Sequence, residues 1–137
     1  RIIGMFDSSE EKLVRQRLGE SLKFIVSQRL LPKAGGGRVA GMEILRNTMR
    51  VKDIILNGEQ EEKNFYNVVE QGDAYGMRTF DQHIASLFKD GVVSEETAHI
   101  YGSDKSKLAQ MIDRIRSERG EKVTDIGGLE IDSEYGH

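Results

Sequence analysis

The chain has 137 residues, 20 basic and 23 acidic side chains for a net charge of −3, and no cysteine. That length bounds it to about one domain with a real apolar core, and the interspersed charge gives no electrostatic footprint for nucleic acid or an anionic membrane. Disulfide and thiolate chemistry are excluded, no apolar run approaches the ~18 residues of a membrane-spanning helix, and the cytoplasm is the expected compartment.

The sequence opens on RIIGMF, an apolar stretch without the features of a signal peptide, and reads as a piece of something longer. Ser8 followed by Glu11 has the spacing of a capping box. Val14, Leu18, Leu22 and Ile25 or Val26 then recur at helical spacing, which predicts an amphipathic helix over about 9–27. Two apolar segments, 28–31 and 38–46, flank Gly35-Gly36-Gly37 and predict a β-hairpin with Pro32 at a strand end, where a missing amide donor costs least.

Downstream the pattern is helical. Thr48 can cap a helix carrying Val51, Ile54 and Ile55, with Gly58 in a left-handed position at its end. Asn64 can start a segment holding Phe65, Val68 and Val69 that stops near Gly72. Thr79 and Gln82 form a second capping box ahead of Phe80, Ile84, Leu87 and Phe88, and Gly91 ends that helix. Ser94 opens a short helix to about Tyr101, and Asp104 a longer one with Leu108, Met111, Ile112 and Ile115 on one stripe. From Gly120 on, sparse apolar residues and no sustained period predict a flexible tail.

The residues offer no self-sufficient active site. A phosphate-binding loop needs GxxxxGK[ST] before a helix, but the glycines at 35–37 precede Arg38 and a strand, so a hairpin turn accounts for them better. His83, His99 and His137 lack the i+3 or i+4 partner of a zinc pair, and His83 and His99 are expected on helix surfaces. Ser8, Ser94 and Ser103 sit at helix starts rather than in a nucleophile elbow. Glu61/Glu62 and Glu95/Glu96 are adjacent, so they point apart on a helix and make no acid/base dyad. Phe65, Tyr66, Tyr75, Phe80 and Phe88 fit core packing better than a base-stacking platform, since few cations interleave with them.

Several blocks, in order, carry a resemblance: RIIGMF with the helix after it, ESLKFIVSQRLLPK, GRVAGMEILRNT, YGMRTFDQHIASLFKDGVVSEETA and the helix start at 103–107. Over about residues 1–116 the chain resembles the C-terminal part of the type IV pilus retraction (twitching-motility) ATPases of the secretion ATPase superfamily. The glutamine and arginine before Leu30-Leu31-Pro32 and the block at 75–82 are similar to the twitching-motility branch in particular. Relatives in pilus assembly and type II secretion carry a tetracysteine zinc module after the corresponding QRL segment, where this chain has its glycine turn.

The resemblance implies an α/β architecture that is mostly α. Residues 1–46 would be the last helix and the hairpin of a RecA-like ATPase core, 47–119 a helical C-terminal subdomain, and 120–137 a tail. It implies a hexameric ring in the whole motor, with ATP and Mg bound by upstream motifs, at the pilus machinery on the cytoplasmic side of the inner membrane. This stretch would contribute packing and coupling, with no catalytic, cofactor or metal residue of its own, and alone it would be inactive and prone to dimerise. The family's retraction signature, close to Ala-Ile-Arg-Asn-Leu-Ile-Arg-Glu, falls on Arg50 to Asn57, which makes Val51, Lys52, Asp53, Ile54 and Ile55 the interaction candidates. Leu56 and Asn57 replace the signature's arginine and glutamate, a departure closer to the accessory, PilU-like branch. The alternative is a stand-alone helical adaptor.

Overall fold

A computed structural model describes residues 3–121, so the expected tail lies outside the described residues from position 122 on. The order of elements is α1 (Ser8–Ser21), β1 (Phe24–Pro32), β2 (Arg38–Arg46), α2 (Met49–Asn57), α3 (Phe65–Glu70), α4 (Phe80–Lys89), α5 (Glu95–Tyr101) and α6 (Lys105–Glu118). This is the mostly helical architecture with one antiparallel hairpin that the sequence implies.

Two expectations at the start of the chain need correction. The cap of α1 is Asp7 rather than Ser8: its carboxylate accepts from the Glu10 amide at 3.1 Å and from the Ser9 hydroxyl at 2.7 Å. A carboxylate there also meets the positive end of the helix dipole, and those two bonds hold Asp7 below the usual carboxylate range. The helix then ends at Ser21 rather than running to 27. Phe24-Ile25-Val26, aromatic and β-branched, pairs with β2 instead, so cross-strand partners override an apolar spacing that also fits a helix.

The hairpin is longer than 28–31 implies. Phe24 pairs with Arg46 and Pro32 with Arg38, and the turn between them places Gly35, Gly36 and Gly37 at φ of 97°, 107° and 78°. No residue with a Cβ adopts three such angles in succession without strain. Alternation puts Ile25, Ser27, Arg29 and Leu31 on one face and Phe24, Val26, Gln28 and Leu30 on the other. The first face meets the helices and buries Leu31 completely. The second leaves Phe24, Val26 and Leu30 about half exposed.

The two edges also differ. The outer edge of β2 is covered, because the Ile44 amide donates to the Arg78 carbonyl at 2.9 Å and the Met42 amide to His83 Nδ1 at 2.8 Å. Among the described residues the sheet has two strands, and β1 forms its open edge.

Two apolar cores hang on this hairpin. One joins Leu31 to Ile84 and Phe88 of α4, Ala98 of α5, and Leu108 and Ile112 of α6. The other joins Leu45 to Val51 and Ile55 of α2, Val69 of α3 and Met77, with Leu18 and Leu22 of α1 packed against it. Thr48, Asn64, Ser94 and Asp104 cap their helices as the local chemistry dictates, and Thr79 with Gln82 completes a reciprocal capping box. Gly58 caps α2 at φ 82° and ψ 168°, a positive φ with an extended ψ rather than the left-handed helical position.

Candidate functional site

The interaction candidates lie on α2 and divide by face. Val51 is fully buried and Ile54 and Ile55 are nearly so, whereas Lys52 is half-buried and Asp53 exposed. The apolar trio is thus the seat of the helix, and a partner can reach only the side that carries Lys52 and Asp53. Asp53 accepts from the Asn57 amide side chain at 2.7 Å, one turn on.

The helix is fastened to α1 at both ends. Before its first turn, Asn47 Nδ2 donates to the carbonyls of Gly19 and Leu22, at 2.9 and 2.7 Å, which are among the last acceptors of α1. Past its middle, Arg15 donates to the Ile55 carbonyl at 3.0 Å while Glu11 holds the guanidinium at 2.8 Å. A cation on the carbonyl end of a helix also complements its dipole. Gly19 completes the seat: a Cβ there would lie 3.6 Å from the Lys52 stem and 3.7 Å from Ile55. Displacing α2 therefore entails moving α1 with it. The sequence pattern identified the apolar trio, but it carried no sign of Arg15 or Asn47, whose partners are 40 and 28 residues away.

The block at 75–82, with His83 after it, is a structural junction. Phe80 receives the Arg29 guanidinium over its ring at 4.2 Å, and its amide donates to the Glu43 carboxylate at 3.2 Å. Arg29 reaches on to Ser103 Oγ at 3.0 Å. Asp81, almost completely buried, accepts the Ser103 and Asp104 amides at 2.7 and 2.9 Å, tying the start of α4 to the α5–α6 joint. Gln82 Nε2 donates to the Glu70 carbonyl at 2.9 Å. Four neighbouring residues thus hold four different elements.

His83 is not a surface histidine. It is buried against β2, and its Nδ1 accepts a main-chain amide, so that the neutral ring carries its proton on Nε2. Burial, then the nearby positive charge of Arg78, pushes its pKa below the ordinary histidine value. Its position on the inward stripe one residue before Ile84 hinted at this, but a polar ring on a stripe has no visible partner in sequence. His99 does lie on a helix surface, 3.6 Å from Glu95, and Arg116 shares that carboxylate at 3.3 Å.

The aromatic set is only partly core. Phe80 and Phe88 are buried, Phe65 and Tyr66 are half-buried, and Tyr75 is 57% exposed. Lys107 pairs with Glu70 at 2.9 Å and lies 4.4 Å from the centre of the Tyr66 ring. Among the described residues there is no group of three or more histidine, aspartate or glutamate side chains placed to hold a metal ion, and no helix long and apolar enough to cross a membrane.

Comparison with known proteins places this geometry. No family model matches the chain. The type IV pilus retraction ATPase PilT of Pseudomonas aeruginosa is 34% identical over 110 residues, covering 80% of this chain and 30% of the relative. The type IV pilus ATPase PilU of the same organism is 34% identical over 113 residues, covering 82% and 29%. A solved structure of the pilus retraction motor PilT with bound ADP superposes with a TM-score of 0.64 at 32% identity, covering 80% of this chain and 30% of that one. The ATPase DotB of Legionella pneumophila, at 22% identity and a TM-score of 0.58, shares the fold. The chain spans about 30% of the length of the pilus relatives it matches. By sequence and by fold this chain is homologous to the twitching-motility ATPases over a segment of about 30% of their length.

Proposed function

We propose that the chain is the ring-packing and coupling segment of a hexameric motor ATPase that powers type IV pilus retraction, and that it does not catalyse by itself. The observation that carries the reading is the 34% identity to a retraction ATPase across 110 residues. Supporting it, the segment that matches the retraction signature is seated by Val51, Ile54 and Ile55, while Lys52 and Asp53 lie on the other side. ATP and Mg bind elsewhere in the motor. Residues 1–46 complete its RecA-like core, and 47–119 form the subdomain that meets the pilus machinery on the cytoplasmic side of the inner membrane. The open edge of β1 and its exposed Phe24, Val26 and Leu30 suit further strands and cover from that core.

The coding sequence upstream of Arg1 tests this reading against a stand-alone adaptor. The expected result is an uninterrupted frame that encodes a GxxxxGK[ST] phosphate-binding loop. A start codon immediately before Arg1, with no such loop in frame, would overturn it.

A further inference from the structure

Beside the first turn of α2 runs a groove of about 640 Å³. Arg46, Arg50 and Lys52 line it, and no carboxylate does. None of the three cations is in an ion pair among the described residues; Arg46 has only the Phe24 ring, 5.9 Å away. Apolar surface stands among these charges, with Met49 81% exposed and Tyr75 57%.

The floor of the groove is fixed. Gly72 and Met77 form it, and a Cβ on Gly72 would come within 2.8 Å of Met77 Cβ and 2.9 Å of the Val68 carbonyl. A second cavity of about 550 Å³ continues past Met49 and Arg50 toward Asp53 and Ile54. Glu62 and Lys63 also line that second cavity, so the cationic groove beside the first turn gives way to mixed charge farther along the helix that carries the coupling candidates.

We infer that this groove docks an acidic protein segment with an apolar anchor residue, the partner through which α2 is coupled. The inference rests on the coupling role proposed above and names the chemistry of its partner. Three cations outside any ion pair, in a groove whose own lining has no carboxylate, favour negative charge, and they do so most at low salt. The exposed Met49 beside them offers a soft contact for one apolar side chain, which a small inorganic anion would leave unused.

The test is a fluorescein-labelled peptide of glutamates around a single leucine, titrated into the 137-residue chain at low ionic strength. Binding is expected, weakening as salt is added and falling about tenfold or more in R50E/K52E. Lys33→Glu, at the far turn of the hairpin, should leave it unchanged. A peptide with glutamine in place of every glutamate should not bind. Circular dichroism establishes that each variant is folded, and Arg46→Gln with Lys52→Gln replaces the double reversal if that variant is not.

Equal binding of the glutamine peptide, equal binding by the charge-reversed chain, or no binding of the acidic peptide would each overturn the inference. The two readings fail separately. If the peptide does not bind while Lys52→Ala still uncouples the motor, the groove assignment falls and the coupling role stands. If it binds as described and the same change leaves motility intact, the docking surface stands and the coupling role falls.

Discussion

At Asp81 a single carboxylate holds two main-chain amides from another part of the chain. Asp81→Ala would leave the Ser103 and Asp104 amides without their acceptor and should destabilise the fold by roughly 2–4 kcal/mol, read by denaturant unfolding. A loss below about 0.5 kcal/mol would mean that water replaces the carboxylate at little cost. His83 makes a pH prediction of definite sign. Its folded pKa is lowered by burial and by Arg78, so the unfolded chain binds the proton more readily. The stability due to the neutral ring is fully present above the unfolded value of about 6.5 and is lost as pH falls toward the folded value. A ring protonated on both nitrogens cannot accept the Met42 amide. His83→Gln should therefore flatten the stability profile between neutral and mildly acidic pH, and an unchanged slope in unfolding curves would contradict this. Neither residue's hydrogen-bond partner was legible in sequence. Asp81 reads as an ordinary acid in a helix's first turn, and its partners are 22 and 23 residues away.

Among the elements, legibility followed locality. The caps at Thr48, Asn64, Thr79, Ser94 and Asp104 are each settled within three or four residues, and the structure places all of them where the sequence does. The boundary between α1 and β1 was not legible, because Ile25 and Val26 satisfy a helical stripe as well as a strand and the pairing that decides between them comes from β2. For α2 the apolar spacing was legible and its ties to Arg15 and Asn47 were not. Ile54→Ala or Ile55→Ala should cost about 2–5 kcal/mol, since both side chains are almost wholly buried. Asp53→Ala, on the exposed side, should change stability by about 0.5 kcal/mol or less. Thermal or denaturant unfolding of the three variants separates the faces, and equal costs would mean that the helix has no solvent side.

For the whole molecule, the asymmetry of the hairpin matters most. Among the described residues, helices cover one face at Leu31 and along β2 but leave Ile25 exposed, and residues 78–83 cover the β2 edge, while the β1 edge and the face bearing Phe24, Val26 and Leu30 stay open. An open edge with apolar side chains is a template for pairing. The purified chain should self-associate in sedimentation experiments, and Val26→Lys should shift it toward monomer; a strictly monomeric chain over a wide concentration range would contradict this. The family was legible because its blocks lie in order along the chain, whereas the uncovered face became visible only once the hairpin had a register. The central claim, that α2 couples ATP turnover to pilus movement, is tested most directly by parallel assays of ATP hydrolysis and twitching motility in the complete motor carrying Lys52→Ala and Asp53→Ala. The account predicts near-normal hydrolysis with impaired retraction. Full motility in both variants would contradict it and leave α2 a helix packed for stability alone.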